Sequence, residues 1–234
     1  MAVVGFTNLN GGGANKAYYE AEVAEAAQEQ ARTRLAAYYA TPMAARWLSL
    51  SGRLAADGAE IAPGEISRAF DGYAPRAFTA QDRQGRPVET GAVADRLDAP
   101  NRRAGTDMTV SQPKSYSALV QMAELAGEAA LARDLREARH QVVREVVRHA
   151  LDIGLVQTRR GHGGREVETP ADVMVAVVPH SKSRAGDPQE HDHVLFFNGS
   201  LRADGTVGTL DLSRLVSHKF YLQALVASGM ADRM

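Results

Sequence analysis

The chain has 234 residues, which at about 150 residues per domain suits one large domain or two small ones. Hydrophobic residues make up 44% and charged residues 24%, an ordinary globular balance that supports a sizeable core and excludes global disorder. The 27 basic and 28 acidic side chains leave a net charge of −1, so any polyanion would have to bind a local basic surface. The absence of cysteine excludes a disulfide scaffold, a thiolate metal site and a cysteine nucleophile. The aliphatic run Val173 to Val178 is far shorter than the ~20 residues that span a bilayer. The start, Met1-Ala-Val-Val-Gly-Phe, lacks the basic region and long apolar run of a signal peptide. A cytoplasmic protein without membrane insertion is expected.

Ala2 to Thr7 reads as a short buried strand, closed by the loop Asn10-Gly-Gly-Gly. Ala14 to about Ala40 is rich in helix formers and stops before Pro42, and a second, shorter helix is expected from Ala44 to Leu54. Residues 57 to 103 carry much Gly, Pro, Asp and Arg, and predict an irregular segment with one short helix near Pro63 to Phe70. A strand over Thr106 to Val110 precedes a long helix from Ser117 to about Leu151, broken near Gly127. Strands follow at Leu155–Arg160, Asp172–Val178 and His191–Asn198. A turn at Ala203-Asp-Gly leads to Val207–Leu212, and a last helix runs from Ser213 still unfinished at Met234. Long helices between strands, then hairpins, predict an α+β chain with an antiparallel or mixed sheet and helices on one face.

The sharpest chemical signal is Pro179-His180 followed by Asp187-Pro-Gln-Glu-His-Asp-His193. Residues two apart on a strand share a face, so His191 and His193 project together, and a short loop returns the chain beside His180. Three imidazoles can converge there on one divalent ion. Val194-Leu-Phe-Phe makes both faces of this strand apolar, as in a central strand, where two imidazoles need partners. The other four histidines (140, 149, 162 and 218) are scattered and form no ligand pattern.

A second signal is Gly105-Thr-Asp-Met-Thr-Val-Ser-Gln-Pro-Lys-Ser-Tyr-Ser117. Asp107, in a strand-like run, can accept the free ring N–H of a ligating histidine and fix its tautomer. Lys114 with Ser111, Ser115 and Ser117 marks a helix start that is either phosphate-friendly or simply capped, the latter being the plainer reading. The third signal is aromatic: four of the seven tyrosines fall in two pairs, Tyr18-Tyr19 and Tyr38-Tyr39. Neighbours on a helix diverge by ~100°, so one ring of a pair can be buried while the other faces a site. Without cysteine or a Ser-His-Asp pattern, tyrosine is the candidate nucleophile for any covalent chemistry. Arg159, Arg160, His162 and Arg165 form a basic cluster on an expected hairpin, and Lys182 and Arg184 lie in the loop between the histidines.

Taken together, the Tyr18-Tyr19 pair, the Gly105 to Ser117 block and the His180…His191-Asp-His-Val-Leu-Phe-Phe-Asn198 segment resemble the relaxase domain of F-type (MobF) conjugative relaxases, in the HUH endonuclease superfamily. The last segment fits that family's His, then His-x-His-x4-Asn signature, and the order agrees over nearly the whole chain. The resemblance implies a two-layer α+β sandwich with a central antiparallel sheet. It also implies site- and strand-specific nicking of a plasmid transfer origin: a tyrosine attacks a phosphodiester and leaves a 5′-phosphotyrosyl link and a free 3′-OH. Carried over, Tyr18 is the nucleophile, Tyr19 a neighbour able to substitute, and His180, His191 and His193 the ligands of one divalent ion. Asp107 orients a ligand or assists the tyrosine, whose ordinary pKa of ~10 calls for help. Mg or Mn suits phosphate chemistry, with Zn compatible with three imidazoles.

Lys114, Arg159, Arg160, Arg165, Lys182 and Arg184 are the candidate DNA-backbone contacts. The partners implied are single-stranded DNA and a hairpin at the origin, accessory relaxosome proteins and a coupling protein, with the enzyme a monomer. Residues 1–234 would be one relaxase domain of a longer protein, since the family's fingers and helicase region do not follow. Two departures stand out. Asp192 occupies a position that is usually apolar or small, and Tyr38-Tyr39 lies 20 residues beyond the first pair. In one continuous helix that gap is ~30 Å, too far for both pairs to serve one phosphate. A rolling-circle replication initiator is the alternative within this chemistry. A catalytically silent origin-hairpin binder and a three-His metalloenzyme for a small molecule are the alternatives outside it.

Overall fold

The computed structural model describes residues 2–10, 14–32, 43–82, 84–93, 102–161, 164–183 and 185–233, with no side chains described over 26–32. In chain order the elements begin β1 (Val3–Asn10), α1 (Ala14–Arg32), β2 (Arg46–Leu48), α2 (Glu65–Phe70), β3 (Tyr73–Gln81), β4 (Pro87–Ala92) and β5 (Arg103–Ser111). Next come α3 (Lys114–Leu125), α4 (Ala129–Asp152), β6 (Gln157–Arg160), β7 (Glu166–Glu168), β8 (Asp172–Lys182) and β9 (Pro188–Leu201). The last are β10 (Val207–Gly208), β11 (Leu210–Asp211), α5 (Ser213–Ser217) and α6 (Lys219–Ala231).

The central sheet runs β1-β5-β9-β8-β2, with β10 also paired to β9, and every pairing is antiparallel. The α+β class with a central antiparallel sheet is thus as expected. β8 and β9 are central, which is why their sequences are apolar on both faces. Val173, Val175, Val177, Val194, Phe196, Met108 and Val110 pack toward α3, α4 and α6. Met174, Ala176, Val178, Leu195 and Phe197 pack the other way, with Tyr19 and Val23 of α1 and Ile66 and Phe70 of α2. The helices expected on one face therefore occupy both, and α1 and α2 form the cover under which the site lies. Gly105 shows how close β5 and β9 run: a Cβ there would sit 2.3 Å from the Phe196 carbonyl oxygen, so only glycine fits.

The long helix is two helices, parted at Gly127, whose φ of 81° is left-handed. α4 buries Val142, Val143, Val146, Val147, Ala150 and Leu151, a stripe of helical period laid on the sheet. β1 is an edge strand, not an inner one, and of its side chains only Val4 and Leu9 are buried, one in the core on each face of the sheet. The span 57–103 contains the hairpin β3–β4, whose largely exposed, Pro-containing strands leave little apolar pattern to read. Val207–Leu212 divides into β10 and β11, which serve different sheets. The final helix breaks at His218 and ends at Ala231. Among the described residues, no helix is long and apolar enough to cross a membrane.

The helix expected over Ala44–Leu54 is instead β2 followed by a tight loop. Local propensity is overridden by two tertiary interactions. Arg46, Trp47 and Leu48 pair with β8, and the fully buried Asp172 carboxylate captures the next turn. Asp172 accepts from Ser49 Oγ (2.6 Å) and from the backbone N–H groups of Leu50, Ser51, Arg53 and Leu54 (2.8–3.1 Å). Asp172→Ala orphans these donors and should lower unfolding free energy by about 3 kcal/mol in a denaturant titration. A loss under about 1 kcal/mol would mean that water takes over the carboxylate's bonds.

Candidate metal and nucleophile site

In the β8–β9 ladder His180 lies directly opposite His191, and Val178 opposite His193. β5 adds Ser111 opposite His191 and Thr109 opposite His193, so Asp107, two residues along, shares that face. This register brings one nitrogen from each of His180, His191 and His193 within 4.8 Å of the others, with ring centroids 5.0–5.2 Å apart. Two rings have their tautomers set from behind. His191 Nδ1–H donates to the Gln189 carbonyl (2.7 Å) and His193 Nδ1–H donates to Asp107 Oδ2 (2.7 Å), which leaves each Nε2 as a lone-pair donor. Burial, reinforced by the neighbouring rings, pushes the His191 imidazolium pKa down to about 4, so this ring is neutral at pH 7. Three converging imidazoles, two of them with anchored back nitrogens, fit a divalent cation of the borderline kind that nitrogen ligands hold.

α1 brings the tyrosines to this cluster. Tyr19 is 4% exposed, stacks on Phe70 at 6.2 Å and donates its hydroxyl to Asp107 Oδ2 (2.8 Å), with His193 Nδ1 3.1 Å away. Tyr18 is 42% exposed, and its hydroxyl is 3.1 Å from His180 Nδ1. The ~100° step between neighbours thus puts one ring in the core and the other at the cluster. Asp107 Oδ2 also receives Thr109 Oγ1 at 3.3 Å, whereas Asp107 Oδ1 is buried without a hydrogen bond among the described residues.

α1 is held by charge as well. Lys16 pairs with Asp71 at 2.7 Å, and the Glu20 carboxylate accepts the backbone N–H groups of Gly64 and Ser67 at the start of α2. Glu22, one turn beyond Tyr18, lies 2.7 Å from His180 Nε2, and that bond outweighs burial in holding its carboxyl below the usual range. Sequence reasoning missed Glu20 and Glu22. Their spacing from Lys16 and Tyr18, four residues each, was the available signal.

The remaining predicted residues divide. Lys114, at the exposed start of α3, donates to the Pro188 carbonyl (3.1 Å), and the exposed Lys182 is the ladder partner of Pro188, two residues beyond His180. The phosphate-friendly reading of that helix start loses one of its three serines: Ser117 is buried, and its Oγ accepts the Glu190 N–H (2.9 Å), while Ser115 is exposed. The expected hairpin exists as β6–β7, but its basic cluster is free of acids only in sequence. Arg159 pairs with Asp211, and Arg160 with Glu168 and Asp204, while Arg165 is exposed. Arg184, His162, Tyr38 and Tyr39 lie outside the described residues. Asn198, the end of the signature, bonds the Arg103 carbonyl and the Leu210 N–H, so it ties β9 to β5 and β11.

Residues 12–234 match the sequence profile of the family described as TrwC relaxase. The chain is similar to a solved structure of the conjugative relaxase TrwC with oriT DNA in a copper-bound form, with TM-score 0.67 and 21% identity over 99% of this chain and 69% of that one. A metal-bound form of the same complex gives TM-score 0.65 at 21% identity, over 99% and 69% of the two chains. TrwC with a 27-mer DNA comprising the recognition hairpin and the cleavage site gives 0.61 at 20% identity, over 99% and 68%. No curated protein matches in sequence. The profile match spans the tyrosine pair, Asp107 and all three histidines, and the chain belongs to the TrwC relaxase family of metal-dependent DNA nickases and strand transferases.

Proposed function

We propose that this protein nicks one strand of a plasmid transfer origin with Tyr18 as nucleophile. The observation that carries the assignment is the Tyr18 hydroxyl lying 3.1 Å from His180 of the three-imidazole cluster, on a side chain that is 42% exposed. Tyr18 Oη forms a bond to the scissile phosphorus as the P–O3′ bond breaks. The phenolic proton leaves, the 3′ oxygen gains one, and a 5′-phosphotyrosyl link remains. A divalent ion held by His180, His191 and His193, most suitably Mg or Mn for oxygen-rich phosphate, would supply positive charge to the phosphoryl oxygens. Asp107 holds His193 in the ligating tautomer and ties Tyr19 to the sheet, and through α1 it fixes where Tyr18 stands. Tyr19, with its hydroxyl already on Asp107, is a supporting residue in this scheme. The exposed lysines at Pro188, Lys114 and Lys182, with Arg165 and Arg184, are proposed to meet the DNA backbone. Relaxosome proteins and a coupling protein belong to the same proposal. The family match favours this reading over a rolling-circle replication initiator.

The test is adduct formation with a labelled, partly randomised single-stranded DNA pool in Mn²⁺, read on a denaturing gel. Wild-type protein should give a shifted band that EDTA abolishes. Tyr18→Phe should lose it, Tyr19→Phe should keep it, and Asp107→Asn should slow it by about 10- to 100-fold. A band unchanged in Tyr18→Phe would refute the assignment. For the DNA surface, Lys114→Glu with Lys182→Glu should weaken oligonucleotide binding across all sequences and flatten its salt dependence by about two phosphate contacts. An unchanged salt slope would move the DNA elsewhere.

A further inference from the structure

Glu190 and Asp192 alternate with the histidines on β9, so their side chains enter the opposite side of the sheet, against α4. There they meet Arg139, which is 1% exposed, beside a largely apolar layer. Arg139 Nη1 donates to Glu190 Oε2 (2.6 Å) and to the His180 backbone carbonyl (3.0 Å), and its Nε lies 3.0 Å from Asp192 Oδ2. Arg136 holds the other Glu190 oxygen (3.0 Å), and His140 Nδ1 holds Asp192 Oδ1 (3.0 Å).

We propose that Arg139 is a positioning residue for the three-imidazole site: one guanidinium grips the backbone of His180 on β8 and the carboxylates flanking His191 on β9, and so fixes the spacing at which the rings converge. This rests on the metal-centre reading above. Two observations favour positioning over stability alone. A buried charge network is a poor source of stability compared with apolar packing of the same volume, and apolar packing fills the rest of this face. In addition, the β8–β9 ladder shifts register between His180 and Lys182, so the backbone pairing that spaces the strands is irregular just beyond the ligands. A planar fork with several donors restores that spacing, which a lysine cannot do.

The test is calorimetric titration of the DNA-free protein with Mn²⁺, alongside its metal-free melting temperature. Arg139→Lys should bind Mn²⁺ about tenfold or more weakly. Val226→Ala, a cavity variant on α6, should lower the melting temperature and leave Mn²⁺ affinity unchanged. Folded Arg139→Lys with wild-type affinity would overturn the proposal, as would an equal loss of affinity in Val226→Ala. Should Arg139→Lys fail to fold, Asp192→Asn decides: a severalfold loss of affinity supports the clamp and none overturns it. Wild-type protein that takes up no Mn²⁺ would overturn both the metal reading and this one, whereas tight Mn²⁺ binding without DNA adducts would count only against the nicking assignment.

Discussion

The pairing of β8 with β9 in the register that sets His180 opposite His191 is the constraint on which the rest of the site depends. Strand side chains alternate, so a slip of one residue would turn both β9 histidines into the α4 layer and bring Glu190 and Asp192 to the tyrosine side. The apolar run of β8 and Val194 to Phe197 of β9 make such a slip costly, because their residues are fitted into cores on both faces. The buried acids raise that cost further, since their cationic partners among the described residues, Arg136, Arg139 and His140, all stand on α4. Burial works to raise the Asp192 pKa, and Arg139 and His140 outweigh it and hold the carboxyl ionised. The same alternation that collects the ligands on one face therefore collects their counter-charges on the other.

The second requirement is a helix delivered to the ligand face at a fixed height and rotation. α1 meets it through a short set of polar contacts around one aromatic anchor. Tyr19 enters the core and reaches Asp107, Lys16 and Glu20 grip α2, and Tyr18 and Glu22 both meet His180. Asp107 belongs to both halves of this arrangement, since a single carboxylate oxygen receives a ligand histidine and the tyrosine that neighbours the proposed nucleophile. A change in how α1 sits is thereby felt at His193, and the reverse also holds.

Much of this was legible in the sequence because the informative residues are chemically rare and regularly spaced. The His-x-His on an apolar strand, Asp107 in a strand-like run and an adjacent tyrosine pair each carry a period or a burial cost that points to one face. Less legible were contacts between residues distant in sequence whose types are common. Arg139 is one of many arginines on a charged helix, and only its position opposite Asp192 gives it meaning. Asp192 itself read as a misfit because its partners lie about fifty residues away on α4. The helix expected at Ala44–Leu54 failed for a related reason: Asp172, on another strand, dictates that loop's backbone more strongly than local propensity. The cluster from Arg159 to Arg165 holds no acid in sequence, and the fold brings Glu168, Asp204 and Asp211 beside it.

On the proposal above, the exposed tyrosine at the three-imidazole cluster makes the bond to DNA. This is tested most directly by digesting the trapped protein–DNA adduct with a protease and a nuclease and locating the nucleotide remnant by tandem mass spectrometry. The remnant is expected on Tyr18. A remnant on Tyr38 or Tyr39, or on any residue away from His180, would contradict the proposal.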